Sequence, residues 1–332
     1  MEFRRLGKTG FNISTVSLGT WQVGGRWGEK FDDVLAERII EAAIERGVNF
    51  IDTADVYSDR ASEAAVGRVV ARVKARHGNR VYMATKCGRL INPHVDAGYT
   101  PDALRHFVEM SLKNSGLEAL DLIQLHCPPT AVYYRPEIFA LFDTLKAEGK
   151  ILNLGVSVEK VEEALKAIEY PNVASVQIIF NMFRMRPSQL LFREAKAKDV
   201  GIIARVPLAS GLLTGRFSRA TQFGADDHRS FNRDGAAFDK GETFSGVNYG
   251  QGLAAVEAIK AIFPAEPGLA AWALRWILMF PEVTTVIPGA SRVEQIESNL
   301  AAASLRELTV AEMDGVGTVY ERYIKPTVHH LW

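Results

Sequence analysis

The stretch Asn49-Phe50-Ile51-Asp52-Thr53-Ala54-Asp55-Val56-Tyr57 decides how the rest of this 332-residue chain is interpreted. Val48 to Ile51 is a short apolar run, typical of a buried β-strand, and it places Asp52 at the strand's carboxyl end. A loop then leads to Tyr57, and Glu63 follows near the start of the next predicted helix. The stretch therefore predicts one strand–loop–helix unit with polar side chains where the strand ends.

Two later strands end in the same way. The run Val81-Tyr82-Met83-Ala84-Thr85 leads into Lys86, and Asp121-Leu122-Ile123-Gln124-Leu125 leads into His126. The catalytic groups of barrel enzymes lie at the carboxyl ends of parallel strands. We therefore expect the polar side chains of these three units to form one site.

An apolar strand followed by an amphipathic helix recurs along most of the chain. Strands are predicted at residues 16–18, 48–51, 80–85, 121–125, 151–156, 173–178, 200–204 and 284–287. Helices are predicted from Asp32 or Asp33 to Gly47, at 62–76, 101–115, 136–148, 159–169 and 188–198, and from Ser291 onward. Eight such units, with no glycine-rich dinucleotide fingerprint after the first strand, favour a closed (β/α)8 TIM barrel over an open doubly wound sheet.

Two segments lie outside this repeat. Residues 1–15 carry turn signals between short β-favouring pieces, and they predict an N-terminal β-hairpin. Residues 216–250 have no clear period and predict a long loop after strand seven, either a flap over a ligand or a disordered insertion. The whole chain, residues 1–332, is interpreted as a single barrel domain.

Composition narrows the class of protein. Hydrophobic residues make up 47% and charged residues 23%, which is ordinary for a soluble protein with a large core. The 39 basic residues balance the 39 acidic ones, so no net field indicates nucleic acid or an anionic membrane as a partner. No signal peptide is expected, and the longest apolar run, Gly268 to Phe280, is shorter than the ~18 residues of a membrane span. We expect a cytoplasmic protein that is a monomer or a weak homo-oligomer.

The two cysteines, Cys87 and Cys127, are expected to be buried packing residues.

Asp52, Tyr57, Lys86 and His126 are the candidate catalytic residues. A free tyrosine titrates near ~10, and a nearby ammonium such as that of Lys86 stabilises the phenolate and lowers its pKa. A buried lysine needs a carboxylate beside it, which Asp52 supplies. The imidazole of His126 can donate a hydrogen bond to a substrate carbonyl. The four groups therefore suit protonation of a carbonyl oxygen, or the reverse reaction.

Each of these residues also has a structural interpretation, and metal binding is the main chemical alternative. Asp52 and Lys86 could form a structural ion pair, and His126 could be a core histidine. The seven histidines of the chain supply no His-x-His pair, and a lysine at the centre of the site would oppose a cation. We therefore expect no metal.

The last unit offers a nucleotide site. Ser291-Arg292-Val293-Glu294 has the spacing of a capping box, directly after Pro288-Gly289-Ala290, where the backbone can approach a ligand. Helix N-termini bind phosphate, and barrels favour phosphate after strands seven and eight. Arg292 would pair with a 2′-phosphate, which favours NADPH over NADH.

Together these residues resemble the aldo-keto reductase family over essentially the whole chain. Phe50-Ile51-Asp52-Thr53-Ala54 through Tyr57, with Glu63 and Gly67, is similar to the family's first signature. The run Pro207 to Gly215 resembles its pyrophosphate loop, and the run Ile287 to Ala290 resembles its adenosine site.

The resemblance implies NADPH-dependent reduction of aldehydes or ketones, or the reverse oxidation, with a small carbonyl compound, sugar or alcohol as substrate. Tyr57 would be the general acid, tuned by Lys86 and Asp52, and His126 would orient the carbonyl. Trp21 would form a wall of the substrate pocket. The implied cofactor contacts are Gly19, Thr20, Trp21, Ser157, Gln177, Arg205, Pro207, Leu208, Ser210, Gly211, Leu213, Gly215, Arg216, Gly289, Ser291, Arg292, Gln295 and Asn299.

Two departures from the family pattern concern the nicotinamide. Ser157 and Gln177 match the residues that hold its carboxamide, but Val158 stands where members often have asparagine. Arg205-Val206 replaces a Tyr-Ser pair whose tyrosine stacks on the nicotinamide ring. We hypothesise that Arg205 stacks there instead and, because it is cationic, favours the reduced cofactor.

The chain is most similar to the bacterial and plant branch of the family that resembles potassium-channel β subunits, a likeness that includes the closing His329-His330-Leu331-Trp332. This branch leaves a second function open, that of a nucleotide-binding regulatory subunit that senses redox state. The four candidate catalytic groups favour the enzyme, because a sensor has no need for all of them.

Overall fold

The computed structural model describes residues 1–25, 30–77 and 80–332. Its strands are β1 Phe3–Arg5, β2 Asn12–Ser14, β3 Leu18–Gly19, β4 Phe50–Asp52, β5 Tyr82–Cys87, β6 Leu122–His126, β7 Leu154–Ser157, β8 Val173–Ile179, β9 Gly201–Arg205 and β10 Val283–Val286. Its α-helices are α1 Asp33–Glu45, α2 Ala61–His77, α3 Pro101–Ser115, α4 Pro136–Ala147, α5 Val161–Ala167, α6 Leu191–Ala197, α7 His228–Phe231, α8 Tyr249–Lys260, α9 Leu269–Leu278, α10 Val293–Leu300, α11 Val310–Val319 and α12 Lys325–Val328.

Strands β3 to β10 form one parallel sheet in chain order. Parallel bridges from Val16 to Val286 and from Gly19 to Gly289 bring the two edges of this sheet together, so that the barrel is nearly closed. The predicted (β/α)8 TIM barrel is confirmed. β1 and β2 pair antiparallel and form the predicted N-terminal hairpin. All eight barrel strands end at the same rim, which is where the candidate catalytic residues lie.

Local sequence signals explain the helices that were predicted best. The side chain of Thr100 accepts a hydrogen bond from the backbone of Ala103, Pro101 occupies the first turn of α3, and Gly116 adopts the left-handed conformation after its end. The predicted bounds of this helix, 101–115, are confirmed. At α1 the side chain of Asp32 accepts from the Leu35 amide, so Asp32 is the N-cap.

Other elements differ from the prediction. Helices α8, α9 and α11 were not predicted. α9 is buried along nearly its whole length, so its sequence carries no polar face that would reveal a helical period. Among the described residues, no helix combines the length and the apolar composition that a membrane span requires.

The predicted loop at 216–250 is a structured segment. It contains α7, two short 3-10 turns at Lys240–Glu242 and Phe244–Gly246, and the start of α8. Phe244 and Ser245 are buried. The alternative of a disordered insertion is therefore wrong. We call residues 206–248 the β9–α8 loop.

Candidate active site

A buried ion pair occupies the carboxyl ends of β4 and β5. Lys86 Nζ lies 2.5 Å from Asp52 Oδ2 and donates a second hydrogen bond to the carbonyl oxygen of Thr53 at 2.8 Å. Lys86 is fully buried and Asp52 is 2% exposed. Burial alone would lower the pKa of Lys86, but the charge of Asp52 and the hydrogen bond to it outweigh burial and raise the pKa above its usual value. The side chain is therefore an ammonium group.

The second oxygen of Asp52 is held by two glutamine amides. Gln177 Nε2 donates to Asp52 Oδ1 at 2.7 Å, and Gln124 Nε2 donates to the same atom at 3.1 Å. Gln124 was missed in the sequence, although a lone amide in the apolar run of β6 was a signal for it. The amide hydrogens of Gln177 are committed to Asp52 and Gln124, which leaves its side-chain oxygen for a ligand.

The Tyr57 hydroxyl lies next to this ion pair. Lys86 Nζ donates to Tyr57 Oη at 3.2 Å, so the hydroxyl proton is free to point elsewhere. Burial raises the pKa of Tyr57 above its usual value. The Lys86 ammonium opposes this shift, as expected, but it does not reverse it, so the predicted net lowering of the tyrosine pKa is wrong. Tyr57 therefore remains protonated at neutral pH.

His126 faces Tyr57 across the mouth of the barrel. The two ring centroids are 6.1 Å apart, and the Trp21 ring lies 6.3 Å from Tyr57 on another side. Burial, reinforced by the positive charges of Lys86 and Arg89, lowers the pKa of His126 well below its usual value. The imidazole is therefore neutral at physiological pH and can donate one hydrogen bond. The predicted catalytic residues are all brought together.

A second charged group, which we call the charged ring, lies beside the first and was not predicted. Arg205 Nη2 donates to Glu159 Oε2 at 2.9 Å, and Arg205 Nη1 lies 3.7 Å from Glu242 Oε1. Arg89 Nη1 lies 3.9 Å from Glu159 and 3.6 Å from Glu242. The ring therefore alternates two guanidinium groups with two carboxyl groups. Arg89 and Glu159 each follow a barrel strand closely, which was a signal for them in the sequence.

The two carboxyl groups of the ring differ in charge. Burial and the neighbouring Glu159 charge raise the pKa of Glu242 to about 8. Burial would also raise the pKa of Glu159, but the Arg205 and Arg89 guanidinium groups outweigh it and lower the pKa to about 2. At neutral pH Glu159 is ionised and compensates the charge of Arg205. We hypothesised that the positive charge of Arg205 favours binding of the reduced cofactor over the oxidised one. Because Glu159 compensates this charge, the preference should be weaker than an unpaired guanidinium would produce.

Two carboxyl groups of the charged ring and the neighbouring Cys127 form the group most suggestive of a metal site. Within the described ranges, ligand atoms of Cys127, Glu159 and Glu242 lie within 4.8 Å of one another. Arg89 and Arg205 contact the same carboxyl groups and would repel a cation. Burial also raises the pKa of the Cys127 thiol. These charges do not suit a metal ion.

The first part of the β9–α8 loop has a strained backbone. Val206, Ala209 and Ser210 adopt positive φ angles of 50°, 48° and 55°. Such conformations cost about 1–3 kcal/mol each for residues other than glycine and cluster at functional sites. Ser210 Oγ donates to the Glu242 carbonyl oxygen at 2.9 Å and accepts from the Phe244 amide at 3.0 Å. The later half of the loop therefore holds the segment that carries the predicted cofactor residues Pro207, Leu208, Ser210, Gly211, Leu213, Gly215 and Arg216.

The predicted capping box at Ser291 and Glu294 is wrong. α10 begins at Val293 and its N-cap is Arg292, which makes no capping hydrogen bond with its side chain. Ser291 is hydrogen-bonded to Gln295 instead of Glu294. Gln295 Oε1 accepts from the Ser291 amide at 2.7 Å and from the Ser291 hydroxyl at 3.2 Å. The turn before α10 is therefore fixed by Gln295.

The groups around this turn suit a dinucleotide phosphate. Asn299 Nδ2 donates to the Gly289 carbonyl oxygen at 3.2 Å, which ties the turn to the helix. A side chain at Gly19 would meet the carbonyl oxygen of the strand-end residue Ile287 at 2.8 Å, so only glycine fits there. Arg292 and Arg216 are exposed, and within the described ranges neither guanidinium donates a hydrogen bond. Their charge is thus available to a phosphate.

The C-terminal tail reaches the β9–α8 loop. Trp332 Nε1 donates to Asp239 Oδ1 at 2.9 Å, and Arg186 Nη1 donates to the Trp332 carbonyl oxygen at 2.7 Å. The guanidinium of Arg184 lies 3.9 Å from the centre of the indole ring. The tail therefore supports the loop from behind.

Comparison with known proteins assigns this geometry to a family. The sequence profile of the Aldo/keto reductase family matches residues 15–321. The chain belongs to this family. The reductase is 28% identical to an uncharacterised oxidoreductase of Bacillus subtilis, YqkF, over 94% of each chain. It is 27% identical to an NADH-specific methylglyoxal reductase of Escherichia coli, over 90% of this chain and 93% of the relative.

Two further comparisons place the reductase within the family. It matches the solved structure of a glycerol dehydrogenase of Gluconobacter oxydans with a TM-score of 0.77 and 29% identity, over 97% of this chain and 96% of that one. It is also 24% identical to a probable voltage-gated potassium channel subunit beta of Arabidopsis thaliana, over 92% of each chain. The predicted resemblance to the branch that includes such subunits is confirmed.

The ion pair of this aldo/keto reductase predicts a large stability difference between two Asp→Asn substitutions. Asp52→Asn leaves the buried Lys86 ammonium without its counter-charge and should lower the free energy of unfolding by about 3–5 kcal/mol. Asp33→Asn removes an exposed partner of Arg68 and should cost less than about 1 kcal/mol. Urea unfolding followed by circular dichroism measures both. Equal losses would show that Lys86 does not depend on Asp52.

Proposed function

We propose that this protein is an NADP(H)-dependent carbonyl reductase, or the corresponding alcohol dehydrogenase, with Tyr57 as its general acid and base. The observation that carries the proposal is the Lys86 ammonium, which contacts both Asp52 and the Tyr57 hydroxyl oxygen at the mouth of the barrel. An ammonium in this position stabilises negative charge on the tyrosine oxygen as the proton leaves. The membership in the aldo/keto reductase family supports the same chemistry.

The roles of the residues follow from their geometry. A bound nicotinamide supplies or accepts the hydride. Tyr57 delivers its proton to the carbonyl oxygen, and Lys86 stabilises the resulting phenolate, while Asp52 keeps Lys86 charged. His126 is neutral, so it donates a hydrogen bond that orients the carbonyl without competing as an acid.

The cofactor residues are proposed from the same geometry. Ser157 and Gln177 lie buried at the ends of the central strands, where they can hold the carboxamide, and Arg205 flanks them. Arg216 and Arg292 are exposed, and their positive charges would bind phosphate. The preference for NADPH over NADH rests on Arg292, and the NADH-specific relative makes this preference the first point to test.

A regulatory subunit that senses redox state is the second candidate, because a potassium channel subunit is among the relatives. Such a subunit would bind the nucleotide without sustained turnover. We further propose that residues 1–332 act as a single domain, cytoplasmic and monomeric or weakly oligomeric, with small carbonyl compounds, sugars or alcohols as substrates.

Loss of the Tyr57 hydroxyl tests the acid role. Tyr57→Phe should lower kcat for aldehyde reduction by about 10²–10⁴-fold while NADPH still binds, because only the proton donor is removed. NADPH oxidation at 340 nm measures turnover, and fluorescence titration measures binding. Tyr134→Phe, at an exposed tyrosine, is the control. If the wild-type protein binds NADPH but turns over no carbonyl compound, the sensor function is favoured. If Tyr57→Phe keeps full activity, Tyr57 is not the proton donor.

Removal of one guanidinium tests the cofactor preference. Arg292→Ala should lower the ratio of NADPH to NADH affinity by about 10-fold or more, because only the 2′-phosphate loses a charged hydrogen bond. Both dissociation constants are measured by fluorescence titration. Arg193→Ala, at an exposed arginine in α6, should leave the ratio unchanged. An equal loss for both cofactors would mean that Arg292 does not recognise the 2′-phosphate.

A further inference from the structure

The side chain of Gln124 reaches across the barrel from β6 to β8, although β7 lies between these two strands. Gly155 is the residue of β7 that pairs with Gln124. A side chain at Gly155 would meet Gln124 Cγ at 3.2 Å and Ser175 Oγ at 2.3 Å, so a larger residue would crowd both. Gln124 is fully buried and contacts Gln177 on the far side. The small residue in β7 thus makes room for a contact between glutamines on strands that are not neighbours.

The orientation of both glutamine amides follows from the chemistry of Asp52. A carboxylate oxygen only accepts hydrogen bonds, so Gln124 and Gln177 both turn their NH2 groups toward Asp52 Oδ1, at 3.1 and 2.7 Å. The second N–H of Gln177 then donates to Gln124 Oε1 at 3.1 Å. Gln177 Oε1 is consequently directed at neither of these acceptors.

Two hydrogen bonds fix the plane of the Gln177 amide, whereas one would not. With Asp52 alone, the amide could rotate about the line between Gln177 Nε2 and Asp52 Oδ1. The bond to Gln124 removes this rotation, because both hydrogens of the planar NH2 group then have fixed acceptors. A donor to an amide oxygen prefers to lie near the amide plane. The plane of Gln177 therefore determines the direction from which a ligand can donate to its oxygen.

The ion pair of Asp52 is supported independently of Gln124. Lys86 occupies Oδ2 of this carboxylate, and Gln177 contributes the shorter of the two bonds to Oδ1. Removal of the Gln124 side chain leaves both of these contacts in place. The effect of a Gln124 variant should therefore fall on the Gln177 amide rather than on the ion pair.

We propose that Gln124 is a positioning residue for the nicotinamide and acts through Gln177. Gln124 holds the Gln177 amide so that its oxygen accepts a hydrogen bond from the carboxamide N–H of the cofactor. This inference rests on the proposed dinucleotide-dependent function, in which Gln177 holds the carboxamide. Without Gln124, the second N–H of Gln177 is unpaired in the interior and turns to another acceptor. The oxygen is then no longer presented at the same angle.

A pair of cofactors separates this role from a general structural one. The reduced 3-acetylpyridine analogue of NADPH carries a methyl group in place of the carboxamide NH2, so it has no N–H to donate there. Gln124→Met keeps the length of the side chain but removes its polar atoms. We expect this change to raise the Kd of NADPH by about 3–10-fold and to change the Kd of the analogue much less. Isothermal titration calorimetry measures both constants without turnover.

Further variants assign the effect to the contact with Gln177. Gln124→Glu should restore the wild-type Kd of NADPH near neutral pH, because a carboxyl group buried beside Asp52 stays protonated and can donate and accept in the same positions. Adding Gln124→Met to Gln177→Met should cause no further loss, because the two residues act as one unit. The control is Asn153→Leu, which removes a buried amide that donates to the Asp121 carbonyl oxygen at 3.2 Å, before the starts of β6 and β7. It should leave both constants unchanged.

The outcomes distinguish failure of this inference from failure of the proposed function. Equal weakening of NADPH and of the analogue by Gln124→Met would make the residue a general structural element and overturn the inference, as would no change in either constant. Equal affinity of the wild type for NADPH and the analogue would mean that the carboxamide N–H is not recognised, and the inference would be wrong while the cofactor site stands. No binding of NADPH or NADH by the wild type would defeat the dinucleotide-dependent function itself.

Discussion

A lysine ammonium at the centre of a barrel cannot be separated from a negative partner, because an unpaired buried charge costs several kcal/mol. In this chain that constraint joins four strands. Asp52 at the end of β4 accepts from Lys86 of β5, from Gln124 of β6 and from Gln177 of β8. The pairing fixes the position of Lys86 Nζ, and the Tyr57 hydroxyl is placed against it. The geometry of the candidate catalytic groups thus depends on how the Asp52 carboxylate is hydrogen-bonded.

A second set of charges connects the barrel with its longest loop. Glu242 brings the β9–α8 loop to Arg89 and Arg205, and Ser210 bonds the backbone on both sides of that turn. Trp332 supports the loop from the C-terminus through Asp239. The loop is thus held by polar contacts as well as by the packing of Phe244 and Val247 into the core.

The barrel and the catalytic group could be predicted because their signals are local. Thr100, Pro101 and Gly116 define one helix by their own backbone preferences, and apolar strands that end in polar residues define the rim. Strands β5 and β6 lie slightly downstream of their predicted positions, so Lys86 and His126 belong to these strands rather than following them. The four candidate catalytic side chains lie together nonetheless, because the order of the strands in the barrel, and not the exact last residue of each strand, brings them to one rim.

The features that were missed depend on distant partners. Glu242 lies in a segment without periodicity, and only the fold brings it to Arg205. The predicted capping box at Ser291 does not form, because the Ser291 amide donates to Gln295, four residues on, instead of to Glu294. The pKa of Tyr57 was misjudged because the sequence shows the ammonium but not the burial that opposes it. In each case the local pattern was present and a tertiary contact decided the outcome.

Whether Tyr57 or His126 is the proton donor can be tested by the pH dependence of the single-turnover rate of aldehyde reduction at saturating substrate and cofactor. Tyr57 has a pKa above its usual value of ~10 and His126 one well below ~6.5, so neither changes charge between about pH 6 and 9. Asp55 and Glu242, with pKa values raised to about 7 and about 8, do change charge, but in the described part of the chain neither carboxyl group forms a hydrogen bond with Tyr57 or His126. If Tyr57 is the donor, the rate should be nearly constant over this range. A fall of about tenfold per pH unit above neutrality, the behaviour of an imidazolium donor, would contradict it.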